Sequence, residues 1–171
     1  MPPRVLATRF ACATSEQAQT IARIAHTADL SCSANEDFAH VARVAAAVGP
    51  EARPVAWLHD AVELPWPRIE DLRAVGCSPV EIDALGLLQR DQNQQSDSAY
   101  LAHIAGIARA PGLAGRLARR VKAADLADRI THPRRRASGW VPPYVQGLDL
   151  LESGFAESAN ALRARAGGHR T

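Results

Sequence analysis

The chain has 171 residues, 47% of them hydrophobic, which fits one domain with a single core and excludes a largely disordered chain. A formal net charge of +2 does not suggest a general nucleic-acid or membrane binder, because either would need a strong basic excess. Basic residues still cluster locally, and a patch for an anionic ligand and an ordinary solvated surface remain alternatives there. The clusters are Arg116, Arg119, Arg120 and Lys122, and then Arg134, Arg135 and Arg136.

An all-α chain is predicted, because alanine is abundant and alternating β-branched residues are scarce. Two capping-box patterns, Thr14 to Gln17 and Ser78 to Glu81, predict helix starts, and Asn35 predicts another. Glycines and prolines, among them Gly49 and Pro65, predict the ends. The predicted helices cover about 14–28, 36–48, 53–64, 67–75, 78–88, 100–108, 113–130 and 144–166.

The three cysteines, Cys12, Cys32 and Cys77, are isolated and odd in number, so they indicate neither a zinc knuckle nor a disulfide framework. Free thiols are typical of a reducing cytoplasm. The N-terminal stretch lacks the long apolar segment of a signal peptide, and no apolar run approaches the roughly 20 residues that span a bilayer. We therefore expect a cytoplasmic protein with no membrane partner.

The dipeptide His59-Asp60 is the main chemical signal, because it interrupts the strongly apolar stretch PVAWLHDAVEL. Burying a charge is costly without a compensating partner, and a metal ion is one such partner. The alternative is a hydrogen-bonded histidine beside a capping or salt-bridging aspartate.

Two further helices offer ligands of the right type. His40 and Asp125 each lie among apolar neighbours of their own predicted helix. Two imidazoles and two carboxylates form a mixed set of donors, which suits manganese, iron or zinc better than calcium. Such a site leaves positions for water and a phosphate oxygen.

The ordered set His40, His59-Asp60 and Asp125 resembles the H…HD…D pattern of the HD superfamily of metal-dependent phosphohydrolases. The segments AHVARVAAAV, RPVAWLHDAVE, WPRIEDLRAVG and RRVKAADLADR resemble the hydrolase domain of the (p)ppGpp synthetase/hydrolases and the small alarmone hydrolases. The resemblance covers about Ile21 to Ile130. It implies a compact HD-domain helical bundle with a central metal site. We expect one domain over 1–171, with its core at about 14–130 and the C-terminal helix, about 144–166, packed on that core.

The resemblance also implies roles for individual residues. His40, His59, Asp60 and Asp125 match the metal ligands. Glu63 and Asp60 match the catalytic residues. Glu63 matches the first acid of a Glu-Asp pair that positions or activates water, and Asp60 lies at the metal. Lys122, Arg129 and His26 match positions that bind the substrate, and Arg129 stands where the family usually has Asn.

One further residue and one segment also depart from the family. Leu64 replaces the second acid of the Glu-Asp pair, and the segment TADLSCSANED replaces basic nucleotide contacts. The expected function is hydrolysis of a phosphate ester or pyrophosphate in a small anionic nucleotide, with an alarmone such as guanosine tetraphosphate as one candidate. The expected cofactor is a divalent metal, most readily manganese, and a nucleic-acid polymer is not expected as a partner. The alternatives are a nucleotidase or phosphodiesterase of the same fold, and a catalytically weak nucleotide-binding signalling protein.

Overall fold

The protein's structure is a computed structural model that describes residues 15–28, 34–90, 95–133 and 140–154. Throughout these ranges the regular structure is helical and no strand occurs, which confirms the all-α prediction. The helices are α1 (Ser15–Ala28), α2 (Ala34–Ala47), α3 (Arg53–Leu58), α4 (Ile69–Ala74), α5 (Pro79–Leu88), α6 (Asp97–Arg109), α7 (Gly112–Thr131) and α8 (144–154), with a 3₁₀ turn at Ala61–Glu63.

Local sequence signals explain most helix ends. The capping box at Ser78 is present, with its hydroxyl accepting from the Glu81 amide and the Glu81 carboxylate accepting from the Ser78 amide. Gly76, just after α4, has a φ of 94°, which favours glycine. The second helix begins at Ala34, slightly before the start predicted from Asn35. The predicted cap at Thr14, and the last helix beyond residue 154, lie outside the described residues.

The predicted continuous helix 53–64 is wrong beyond Leu58. The ring of His59 donates from Nδ1 to the carbonyl oxygen of Ala56 at 2.6 Å, so a side chain competes for a backbone acceptor at this helix end. The chain then tightens, because the amides of Glu63 and Leu64 bond to carbonyls three residues back. His59 and Glu63 are four residues apart in the predicted helix, but in the structure they do not lie on one face of a regular helix.

The short helix α3 lies at the centre of the bundle. Its residues Val55 to Leu58 are all buried, and it packs against α1, α2, α5 and α7. The helix α8 joins the same core through Leu151, which is fully buried. Because α2 and α7 both pack on α3 and on each other, the polar residues of these three elements meet at one end of α3. Among the described residues, no helix is both long and apolar enough to cross a membrane.

Candidate metal centre

The four residues predicted as metal ligands converge on one small volume. The Nε2 atom of His40 lies 3.1 Å from Oδ1 of Asp125 and 3.5 Å from Oδ2 of Asp60. The Nε2 atom of His59 lies 3.3 Å from Oδ1 of Asp60 and 3.9 Å from Oδ1 of Asp125. Three separate elements, α2, the turn after α3, and α7, thus bring together residues that are distant in sequence.

Hydrogen bonds at Nδ1 fix the orientation of both imidazoles. His40 Nδ1 donates to Oδ2 of Asp128 at 2.6 Å, and His59 Nδ1 donates to the carbonyl oxygen of Ala56 at 2.6 Å. An ionised carboxylate and a backbone carbonyl can only accept, so each Nδ1 carries the proton. In the neutral tautomer, each Nε2 then presents a lone pair.

Those two Nε2 atoms are buried and form no hydrogen bond with any described residue. Each lone pair faces carboxylate oxygens, and two acceptors brought this close repel each other unless a proton or a metal cation lies between them. A proton on one of the two Nε2 atoms would relieve this repulsion in part. Burial disfavours the charged form of His59, but the carboxylates of Asp60 and Asp125 outweigh it and raise the pKa of this imidazole.

A divalent cation would relieve the repulsion between the Nε2 lone pairs and the carboxylate oxygens more fully. Donor atoms of His40, His59 and Asp60 all lie within 4.8 Å of one another, so this group could hold a metal ion. Asp125, the fourth predicted ligand, lies outside this group of three, although its buried Oδ1 is 3.1 Å from His40 Nε2 and 3.9 Å from His59 Nε2. Two imidazole nitrogens and a carboxylate oxygen are donors that a divalent metal ion accepts, so the donor types of this group fit such an ion.

Two cations already pair with the two aspartates. Arg129 donates from Nε to Oδ1 of Asp125 at 2.5 Å and from Nη2 to Oδ2 of Asp60 at 3.1 Å. Lys122 donates to Oδ2 of Asp125 at 2.7 Å. Burial alone would raise the pKa of both carboxyl groups, but the charges of His59 and Arg129 at Asp60, and of Arg129 and Lys122 at Asp125, hold the pKa of each well below its usual range.

Glu63 lies on the exposed side of this cluster. Desolvation by the surrounding protein and the negative charge of Asp60 raise the pKa of its carboxyl group, while the cations Lys122, Arg90 and Arg129 oppose the shift. A carboxyl group with a raised pKa beside a polar site suits proton transfer. Leu64, next to it, contributes no titratable group and is half-buried.

A cation and aromatic cluster adjoins the centre through Lys122. The Nζ atom of Lys122 lies 5.9 Å from the centroid of the Tyr100 ring. The guanidinium of Arg90 lies 5.7 Å from the same centroid and 5.8 Å from that of Trp140. Lys122, which bonds Asp125, therefore shares the Tyr100 ring with a second cation, Arg90.

His26 is buried in α1, and neither ring nitrogen has a hydrogen-bond partner in the described part of the chain. Burial lowers the pKa of its imidazole, against the charges of Asp60 and Asp37, which raise it. The residue thus lies within electrostatic range of the centre, although no direct contact joins it to the four predicted ligands.

The basic cluster of the seventh helix does not form one anion-binding patch. Arg119 is 4% exposed and donates to the carbonyl oxygens of Ala108 and Ala110, where it caps the end of α6. Arg120 is exposed and pairs with Glu51. Only Lys122 of this cluster contacts the predicted site, and residues 134–136 lie outside the described residues.

One site residue was missed by the sequence reasoning. Asp128 bonds His40 and also accepts from Arg43 Nε at 2.6 Å and Nη2 at 2.9 Å. Burial disfavours its charge, but the hydrogen bonds from Arg43 and His40 lower the pKa of its carboxyl group to about 2. Its position three residues after Asp125, on the same helix face, is the sequence signal from which it could have been predicted.

Comparisons with protein-family models, with curated proteins and with solved structures find no match for this chain.

Proposed function

We propose that this protein is a metal-dependent phosphohydrolase of the HD type, acting on a phosphate ester or pyrophosphate of a small nucleotide. The observation that carries the proposal is the pair of buried Nε2 atoms of His40 and His59. Both rings are held by acceptors at Nδ1, and both lone pairs face the carboxylates of Asp60 and Asp125. Buried polar atoms are normally hydrogen-bonded, so two unpaired lone pairs that both face carboxylates favour a metal site.

In the proposed reaction, His40, His59, Asp60 and Asp125 hold a divalent cation, with manganese preferred over iron or zinc. When bound, the metal supplies Lewis-acid stabilisation of a phosphoryl oxygen and acidifies water. Glu63 accepts a proton from the water that attacks phosphorus, since its raised pKa brings it closer to neutrality. The bond from phosphorus to the leaving oxygen breaks as the new P–O bond forms, and the leaving oxygen takes up a proton from solvent. Lys122 offsets the growing negative charge at the phosphoryl group.

The charge around the proposed site favours an anionic substrate. The positive charges of Lys122, Arg90 and Arg129 lower the pKa of Glu63, and we propose that the substrate binds beside these cations. Two of these side chains also lie against aromatic rings, which limits their freedom. A small nucleotide, with phosphates for the cations, is the substrate class that this arrangement suits best. The resemblance of the sequence to alarmone hydrolases makes guanosine tetraphosphate one candidate.

A phosphate-release screen tests the proposal. Purified protein loaded with manganese is assayed against guanosine tetraphosphate, nucleoside monophosphates, nucleoside triphosphates and cyclic dinucleotides. We expect turnover of at least one compound, abolished by a chelator and by Asp125→Asn. Fast turnover of a monophosphate or cyclic nucleotide alone would identify a nucleotidase or phosphodiesterase. Hydrolysis that is unaffected by chelation would contradict the metal-dependent mechanism.

A second candidate is a catalytically weak protein that binds a nucleotide and signals through a partner. Leu64 and Arg129 favour it. Leu64 carries no proton-transfer group beside Glu63, and the Arg129 guanidinium already bonds both carboxylates. Saturable nucleotide binding without phosphate release in the same screen would support this candidate over the enzyme.

A further inference from the structure

The Asp128 carboxylate forms a short contact with the buried His40 ring, and Asp128 is not one of the four proposed metal ligands. The Nδ1 to Oδ2 distance is 2.6 Å, and both side chains are at least nine-tenths buried. We propose that Asp128 is a positioning residue for the metal centre, which fixes the tautomer and the direction of His40 so that its Nε2 lone pair points at the cation. The inference rests on the proposed function, because it concerns that same site.

Geometry separates this role from an ordinary ion pair. A surface histidine beside an aspartate can turn or exchange its partner for water, whereas His40 is 1% exposed and Asp128 is 9% exposed. The ring is held at one edge by Asp128, and its opposite edge meets Asp125 at 3.1 Å and Asp60 at 3.5 Å. The line from Asp128 through the imidazole therefore ends at the proposed cation position.

The surroundings keep Asp128 ionised and in place. Arg43 donates two hydrogen bonds to its carboxylate, and His132 Nδ1 lies 3.1 Å from its Oδ1 atom. Arg43 is on α2, one turn after His40, so the same helix provides both the ring and the cation that fixes its acceptor. An ionised acceptor at Nδ1 makes the other nitrogen a better electron donor, which strengthens a metal bond.

A merely structural role is the alternative, in which Asp128 ties α7 to α2 through Arg43. Two matched variants separate the roles. Asp128→Asn keeps the size of the side chain but removes the charge at His40. Arg43→Gln breaks the tie between the helices but leaves the contact between Asp128 and His40.

The first readout is affinity for zinc and for manganese, measured by competition with a chromophoric chelator on the full chain. Loss of an outer partner of a metal-bound histidine weakens metal affinity by about 10- to 100-fold, and we expect a loss on that scale in Asp128→Asn. Arg43→Gln should lose less metal affinity than Asp128→Asn, because the Asp128 carboxylate stays on His40 Nδ1 and Arg43 acts on the metal only through it. Asp128→Glu should recover part of the lost affinity.

The second readout is the tautomer of His40, followed by nitrogen NMR of the histidine rings. The wild type should show the Nδ1-protonated form of His40, and Asp128→Asn should populate the Nε2-protonated form. Wild-type metal affinity in Asp128→Asn, an equal loss in Arg43→Gln, or an Nε2-protonated His40 in the wild type would each overturn the inference. A wild-type protein that binds neither metal would instead overturn the proposed metal site itself.

Discussion

Arg129 gives the sharpest quantitative test of the charge arrangement, because its guanidinium bonds the same two carboxylates that are proposed to hold the metal. Arg129→Asn removes one positive charge and keeps a polar side chain. The protein should then bind a divalent cation more tightly, since the aspartates lose a competing cation and the metal loses a repulsive neighbour.

The magnitude follows from the distances. A metal–oxygen bond of about 2 Å and hydrogen bonds of 2.5–3.1 Å place the two positive centres about 5 Å apart. At that separation, a divalent and a monovalent charge repel by about 2 kcal/mol even with the full screening of water. Arg129 is 21% exposed, so the real screening is weaker than in bulk water. We therefore expect affinity to rise by about tenfold or more at low ionic strength.

The assay is a zinc or manganese titration against a competing chelator, with unfolding followed in parallel. Arg129→Lys keeps the charge and should bind metal much as the wild type does. Arg120→Asn removes the same charge from an exposed position of the same helix, where Arg120 pairs with Glu51, and should change the affinity little. Equal or weaker metal binding by folded Arg129→Asn would refute the reasoning.

Three further predictions concern Glu63, Leu64 and the packing around Gly115. Glu63→Gln should lower turnover by about 10²-fold with unchanged metal content, as measured by steady-state assay and metal analysis; parallel loss of metal would make Glu63 a ligand. Leu64→Asp should raise guanosine tetraphosphate hydrolysis by about tenfold or more without raising monophosphate hydrolysis. If hydrolysis of the tetraphosphate does not rise selectively, the alarmone hypothesis is wrong. Gly115→Ala should destabilise the fold by about 1–3 kcal/mol in denaturant unfolding, because its Cβ would lie 2.1 Å from the Ala110 carbonyl oxygen. Gly106→Ala, whose Cβ meets nothing within 4 Å, is the matched control and should stabilise the helix by about 0.5–1 kcal/mol; equal effects would contradict the packing.

The fold could be predicted from local chemistry where that chemistry is decisive. The capping box at Ser78 and the glycine after α4 mark helix ends correctly. The capping box satisfies backbone amides at the start of α5, and the glycine adopts a positive φ just after α4 ends. The end of α3 at Leu58 was missed, since it coincides with a bond from the His59 ring to a carbonyl of the preceding turn. Apolar periodicity does not register a side chain that competes for the backbone.

The candidate site shows the same division. The types of His40, His59, Asp60 and Asp125 and their apolar surroundings suggested that they would meet, and packing of α2 and α7 on α3 brings them together. Asp128 was missed because its partner, His40, lies 88 residues away in the sequence. The spacing of residues along the chain indicates neighbours within one helix and not contacts between helices. The bridge formed by Arg129 is equally non-local at Asp60, so only the packed structure reveals that it holds both acids.

Arg119 illustrates the opposite error. In the sequence it belongs to a basic cluster that could have faced an anionic ligand. In the structure it is buried and donates to two backbone carbonyls at the end of α6. Arginine has a long apolar stem and several donors, so it can serve inside a protein as a cap, and composition alone does not separate this use from a surface charge.

The central claim is that His40 and His59 are metal ligands, and metal content is its most direct measurement. Wild-type protein, loaded with manganese or zinc and passed through a desalting column, should retain about one ion per chain by elemental analysis. His59→Ala should lose the ion. His103→Ala should keep it, because His103 is another partly buried histidine with an unpartnered Nε2 but makes no described contact with the four predicted ligands. A wild type without metal, or equal retention in folded His59→Ala and His103→Ala, would contradict the account.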